Sequence, residues 1–184
     1  AISQFNLGPE KNETWELGAK ADVLNQKLTL AAAIYQTDKT NLRVPDPQNA
    51  GVQVLAGVAR VRGFEASATG KLTENWQIIA TYAYTHARII STTVPAQLNN
   101  EPIQVPAHAL SIWSTYDITP SWQIGGGAFY SGAVYGDIPN TAQAPGYWRF
   151  DAMAAYKIDK KTTLQFNIYN IFDKYYLASV YSNW

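Results

Sequence analysis

The chain has 184 residues, with 14 basic and 14 acidic side chains balancing to a formal net charge of zero, and no cysteine. That length bounds it to one domain or little more, and its charge balance gives no global field to attract nucleic acid or anionic lipid. Absence of cysteine removes disulfide frameworks, thiolate metal sites and cysteine nucleophiles together.

The sequence is punctuated by short polar turns at Leu24 to Lys27, Thr73 to Asn75, Thr119 to Ser121 and Asp159 to Lys161. Longer breaks at Pro45 to Gly51, Thr93 to Gln104 and Tyr135 to Gly146 alternate with them. Between breaks, apolar residues alternate with polar or small ones, the period of a strand with two different faces. The first predicted strand, Thr14 to Val23, sets Trp15, Leu17, Ala19, Ala21 and Val23 against Glu16, Lys20 and Asp22. The second, Leu28 to about Val44, puts Leu28, Leu30, Ala32 and Ile34 on its apolar face. The third runs from about Val52 to Leu72 and opposes Phe64, Ala66 and Ala68 to Glu65, Ser67 and Thr69. The fourth, Trp76 to about Ser91, opposes Trp76, Ile78, Ala80, Tyr82 and Tyr84 to Gln77, Thr81 and Thr85. Ala107 to Ile118 is the fifth and Trp122 to Val134, glycine-rich at Gly125 to Gly127, the sixth. The seventh sets Phe150, Ala152, Ala154, Tyr156 and Ile158 against Arg149, Asp151 and Lys157. The eighth sets Leu164, Phe166 and Ile168 against Thr163, Gln165 and Asn167 and is expected to run on toward Tyr181.

Strands joined by short turns at one end and long loops at the other describe an all-β, antiparallel outer-membrane barrel of about eight strands. The hydrophobic fraction of 47% at a mean hydropathy of −0.20 fits half-wet strands in a barrel or in a soluble sandwich. Two features separate these. Aromatic content is high, with 6 Trp and 12 Tyr, and Trp76 and Trp122 each follow a short turn on the apolar face. That places both indoles at one rim, where a headgroup interface suits them. The strands also exceed the roughly 9–11 residues a membrane crossing needs, so they project beyond the bilayer on the loop side. Both ends of the chain then fall on the long-loop side, whereas bacterial barrels keep short turns in the periplasm. The expectation is a partial barrel spanning residues 1–184, with strands missing before Trp15 and after Val180.

Several ordered stretches resemble the C-terminal half of a TonB-dependent ferric-siderophore receptor. They are Trp15 to Lys20, Thr37 to Asn41 with Val44 to Pro47, Arg62 to Glu65, Val105 to His108 followed by Leu110, Trp113 and Tyr116, Pro145 to Tyr147 with Phe150-Asp151, and Tyr169 to Tyr176. No single stretch is specific; the ordered set, covering almost the whole chain, is. Val54 to Gly57 before Arg62 to Glu65 looks most like the catecholate-siderophore branch. The resemblance implies a 22-stranded barrel in the bacterial outer membrane, plugged by an N-terminal domain and driven through TonB. The plug, the TonB-contacting segment and a last strand ending in Phe have no counterpart in this sequence.

A receptor of that kind catches an anionic iron chelate with aromatic stacking and guanidinium hydrogen bonds. Mouth-proximal candidates are Arg60, Arg62, Arg88, Tyr135, Tyr147, Trp148, Arg149 and Tyr181, with Arg88, Tyr135, Tyr147, Trp148, Arg149 and Tyr181 as the ligand-binding set. For each, the structural alternative is barrel-wall or loop packing; Arg62 and Glu65 read as wall residues. Arg149 and Asp151 share a face two residues apart, so a structural ion pair between them or with neighbouring strands is expected ahead of ligand contact. Iron is expected only as chelated substrate, with no resident cofactor or metal. His86 and His108 lie in different strands and sequence alone does not bring them together. A hydrolase is not expected, because Ser111 and His108 fall on opposite faces of one regular strand. Gly125 to Gly127 reads as strand packing or curvature rather than a phosphate loop, and Asn170 to Asp173 as a bend or bulge. The expected partners are a ferric siderophore, the TonB system through a plug, and the lipid bilayer, with no nucleic acid. Two other readings stand beside this one: a self-contained eight-stranded barrel with a structural or adhesion role, and a soluble β-sandwich binding module.

Overall fold

The computed structural model describes residues 8–46, 48–49 and 51–180. Eight strands form one antiparallel sheet: β1 (Lys11–Val23), β2 (Leu28–Pro45), β3 (Gln53–Lys71), β4 (Trp76–Ser91), β5 (His108–Asp117), β6 (Trp122–Ser131), β9 (Tyr147–Lys157) and β10 (Thr163–Ile168), in that order. A two-residue hairpin, β7 (Val134–Tyr135) and β8 (Gln143–Ala144), lies within the loop between β6 and β9. No second sheet packs against the eight strands among the described residues, which removes the sandwich. β1 and β10 stand at the two edges of an open sheet, so the self-contained barrel is not formed either.

Two of the short turns are closed by their own side chains. Asp159 accepts from the backbone N–H of Lys161 at 2.7 Å and of Thr162 at 2.9 Å. The Thr119 hydroxyl does the same for Ser121 and Trp122. Such local bonds favour a reversal over continued extension. Lys27 and Glu74 form an ion pair between neighbouring turns.

Register carries the two faces across the whole sheet. Leu17, Ile34, Phe64, Tyr84 and His108 lie side by side on successive strands. One step nearer the short turns comes the row Ala19, Ala32, Ala66, Tyr82, Leu110, Tyr130 and Trp148. Side chains of this parity form a continuous apolar face with nothing packed on it: Leu17 is 68% exposed and Phe166 65%. Rings close both ends of the band. Trp122 packs at a tilt against Tyr156, ring centres 4.7 Å apart, by the short turns, and Tyr130 likewise against Trp148 at 4.9 Å toward the loops. Trp76 to Tyr84 spans about nine residues, one membrane crossing. This is the lipid face.

The opposite face carries Glu16, Lys20, Glu65, Ser67, Thr81 and Ser111 around a hollow of about 600 Å³, the concave inner side of the sheet. Polar pairs cross it, including Thr29 to Asp22 at 2.6 Å and Gln123 to Asp117 at 2.8 Å.

Two strands are shorter than expected. β6 stops at Ser131 rather than Val134: Gly132 N–H still reaches the His108 carbonyl of β5 at 2.8 Å, but Val134 pairs with Ala144 in the small hairpin instead. β10 stops at Ile168, because Asn170 and Asp173 take left-handed φ of 51° and 46°. Asn170 then bonds Lys174 through both of its amide atoms and closes a turn. The Asn170 to Asp173 segment thus ends the strand instead of bending it.

Candidate functional site: an inward guanidinium among aromatic rings

At the loop end of β9, alternation sends Tyr147, Arg149 and Asp151 to the inner face and Trp148 and Phe150 to the lipid face. Arg149 pairs in register with Phe129 of β6, and Asp151 with Gly127. The Arg149 guanidinium lies 4.6 Å from the Phe129 ring centre and forks onto Asp151 with bonds of 3.1 and 2.9 Å. Asp151 is 3% exposed and also accepts from Asn170 N–H at 2.9 Å. The expected Arg149–Asp151 pair therefore exists, and it pins the start of the segment after β10. Tyr147 stacks almost parallel on Tyr176 at 4.2 Å, and Tyr176 also lies beside the guanidinium.

Glycine makes room for this group. A Cβ on Gly127 would fall 2.5 Å from the Trp113 ring and 2.9 Å from Phe129. Trp113 of β5, in register with Gly127, therefore covers its face. Gly126, on the lipid face, would meet nothing closer than 3.5 Å. The run is spaced for aromatic packing on one side of the sheet. A half-exposed cation beside Phe129, Tyr147 and Tyr176 can offer charge-assisted bonds and stacking to a planar anion.

The other candidates lie elsewhere. Trp148 is on the lipid face, 39% exposed, against Tyr130 and Phe150; the one-residue offset from Arg149 decides this. Arg60, Arg62 and Arg88 also have outward parity, beyond the aromatic row on the loop side. Arg60 grips Asp38 with two bonds of 2.7 Å, which hold the Asp38 carboxyl below its usual range. Arg88 meets Glu101 at 2.7 Å. Tyr135 sits in the small hairpin, where its carbonyl accepts from Gln104 N–H at 2.9 Å. Tyr181 lies outside the described residues. Phe129, Trp113 and Tyr176 complete the group around Arg149 and are not among the candidates the sequence singles out. Counting register from Arg149 would have found the first two, but Tyr176 comes from an irregular segment that carries no such signal.

Above the site, the loops are stitched together. Asn140 mimics a strand partner for Glu101, accepting from its N–H at 2.8 Å and donating to its carbonyl at 2.9 Å. Asp137, buried to 6% exposure, accepts from Thr141 and Ala142 N–H and from the Thr141 hydroxyl. The Thr141 hydroxyl, then the backbone N–H groups, hold its carboxyl below the usual range. Ser111 and His108 take opposite faces, as the alternation requires: His108 bonds the Tyr82 hydroxyl at 2.9 Å on the lipid side. Register brings His86 and His108 to the rim of one small recess of about 200 Å³.

Comparison with known proteins agrees with this architecture. The family described as TonB dependent receptor-like, beta-barrel matches residues 1–171. The probable TonB-dependent siderophore receptor PiuA of Acinetobacter baumannii is 37% identical over 96% of this chain. The catecholate siderophore receptor Fiu of Escherichia coli is 34% identical over 98%. The chain spans about a quarter of the length of these relatives, 25% and 24% respectively. The crystal structure of PiuA superposes with a TM-score of 0.91 at 35% identity, covering 98% of this chain and 27% of that one. The closed form of Fiu superposes at 0.82 and 34% identity, covering 96% and 25%. With its lipid band, its wet concave face and a family match across nearly its whole length, the chain belongs to the TonB-dependent receptor β-barrel family.

Proposed function

We propose that these strands form part of an outer-membrane receptor that takes up ferric siderophores of the catecholate class. Capture occurs at the extracellular loops, and passage follows a TonB-driven rearrangement of a plug domain carried elsewhere in the receptor. The reading is supported by relatives named as siderophore receptors, among them the catecholate receptor Fiu. Within this chain, one observation carries it: an inward cation, Arg149, flanked by Phe129, Tyr147 and Tyr176 at the loop end of the wall. A ferric catecholate is anionic and presents flat rings, so it can accept from the guanidinium while its rings lie against tyrosine. Asp151 is a positioning residue, because it fixes the guanidinium without facing the approach path itself.

The test is equilibrium binding of a ferric catecholate and of a neutral ferric hydroxamate to the receptor carrying Arg149→Ala. Loss of a charge-assisted bond should weaken the catecholate about tenfold or more and leave the hydroxamate unchanged. Equal affinity of wild type and variant for the catecholate would exclude Arg149 from the site.

A further inference from the structure

The chain is neutral overall, yet three arginines crowd one patch on the outside of the wall. Two register rows lie just beyond the apolar row Ile34, Phe64 and Tyr84 on the loop side. The first is Gln36, Arg62, His86 and the second Asp38, Arg60, Arg88. All six share outward parity with the apolar band, so the patch continues the lipid face directly. It faces away from the inner wall and from Arg149. Beneath it, on the inner side of β3 and β4, Ala59, Ala87 and Ile89 are buried, which fixes the opposite parity as the outward one.

We propose that this patch binds the phosphate of an outer-leaflet lipid headgroup, with the acyl chains lying on Phe64, Tyr84 and Ile34. Charge is the first reason. Arg60 meets Asp38 and Arg88 meets Glu101, whereas Arg62 is held only by the neutral Gln36 at 2.7 Å and meets no carboxylate within 4 Å among the described residues. Three cations against two carboxylates leave an excess positive charge at headgroup height. Donor supply is the second. Each guanidinium carries five N–H donors, and the bonds to Asp38 and Glu101 use only part of them, leaving forks free for phosphate oxygens.

Shape is the third. The recess beside Arg88, lined by Tyr84, His86, Glu101 and His108, holds about 200 Å³. That is below the roughly 300–1,000 Å³ of an ordinary ligand pocket, so it suits a headgroup fragment and not a whole iron chelate. Its place at the edge of the lipid band selects a membrane lipid over a soluble anion.

The experiment is native mass spectrometry of the detergent-solubilised receptor titrated with phosphatidic acid or with diacylglycerol bearing the same chains. The wild-type receptor should retain phosphatidic acid and not diacylglycerol, a comparison that needs no variant. Arg62→Ala should lower phosphatidic acid retention about fivefold, the effect of one arginine at a membrane surface, and Arg62→Lys should recover most of it. Ferric-catecholate binding should be the same in all three proteins, so this inference and the siderophore reading fail separately. Equal retention of both lipids, or unchanged retention in Arg62→Ala, would overturn the proposal.

Discussion

Arg149 and Asp151 stand two residues apart on one face of β9, and the guanidinium spans that gap with two hydrogen bonds of 3.1 and 2.9 Å. The carboxylate is buried and its partner is not, so the pair offers a fixed cation at the inner surface. Asp151 also caps Asn170 N–H, which ties the position of the cation to the turn that ends β10. Tyr176 reaches the site from beyond that turn.

Breaking this tie should be measurable. Asp151→Asn keeps the size of the side chain but removes the charge that Arg149 grips. Thermal unfolding in detergent should show a loss of about 1–3 kcal/mol, with ferric-catecholate affinity falling as well. A double-mutant cycle with Arg149→Ala should give a coupling of about 0.5–3 kcal/mol. Additive effects would mean that the two side chains act independently.

The glycines of β6 should respond by face. Gly127→Ala drives a methyl into Trp113 and Phe129 and should cost about 1–3 kcal/mol, as overpacking does. Gly126→Ala points to the lipid side, where the added methyl makes only an ordinary contact of 3.5 Å with the Asp151 carbonyl, and should stay within about 0.5 kcal/mol. Comparable losses at both positions would contradict the assignment of faces.

Tryptophan fluorescence reads the same faces in a bilayer. Trp76, Trp122 and Trp148 are on the outer surface, whereas Trp113 is on the inner one. Lipids brominated near the headgroup should quench single-tryptophan receptors retaining any of the first three. A receptor retaining only Trp113 should be quenched several-fold less.

The loop collar should be sensitive to acid through Asp137. Its carboxyl is lower in the folded loop than in an unfolded chain, so the native state binds fewer protons in the acid range. Its contribution to stability is complete above the ordinary carboxylate value of about 3.9 and is lost as pH falls through the folded value. Pepsin should therefore cut residues 132–146 readily only below about pH 4. Asp137→Asn should remove that pH dependence and leave the loop more readily cut at pH 4.5.

Much of the wall was legible in the sequence because a period of two is rigid. Trp15, Leu17 and Ala19 against Glu16 and Lys20 assign both faces of β1, and the turn at Asp159 assigns its own geometry. Arg149 and Asp151 were legible as a pair for the same reason. Trp148 shows the limit: its closeness to the loops suggests closeness to ligand, but the one-residue offset from Arg149 sends it to lipid. The outward parity of Arg60, Arg62 and Arg88 was already contained in Phe64 and Tyr84. Tyr176, and the Asn140 to Glu101 bridge between loops, were not legible, since irregular segments have no period from which contacts can be counted.

The most direct test of the account is thiol labelling of two adjacent positions in β6, Ser131→Cys and Tyr130→Cys, in the receptor. Ser131 pairs with Tyr147 on the inner face and Tyr130 with Trp148 on the outer, and this chain has no cysteine of its own. Ser131→Cys should react with a membrane-impermeant maleimide from the extracellular side and be protected by ferric catecholate. Tyr130→Cys should react only with a lipid-soluble reagent and ignore the chelate. If both positions react alike, or if the chelate protects neither, the placement of an inward ligand site at Arg149 is wrong.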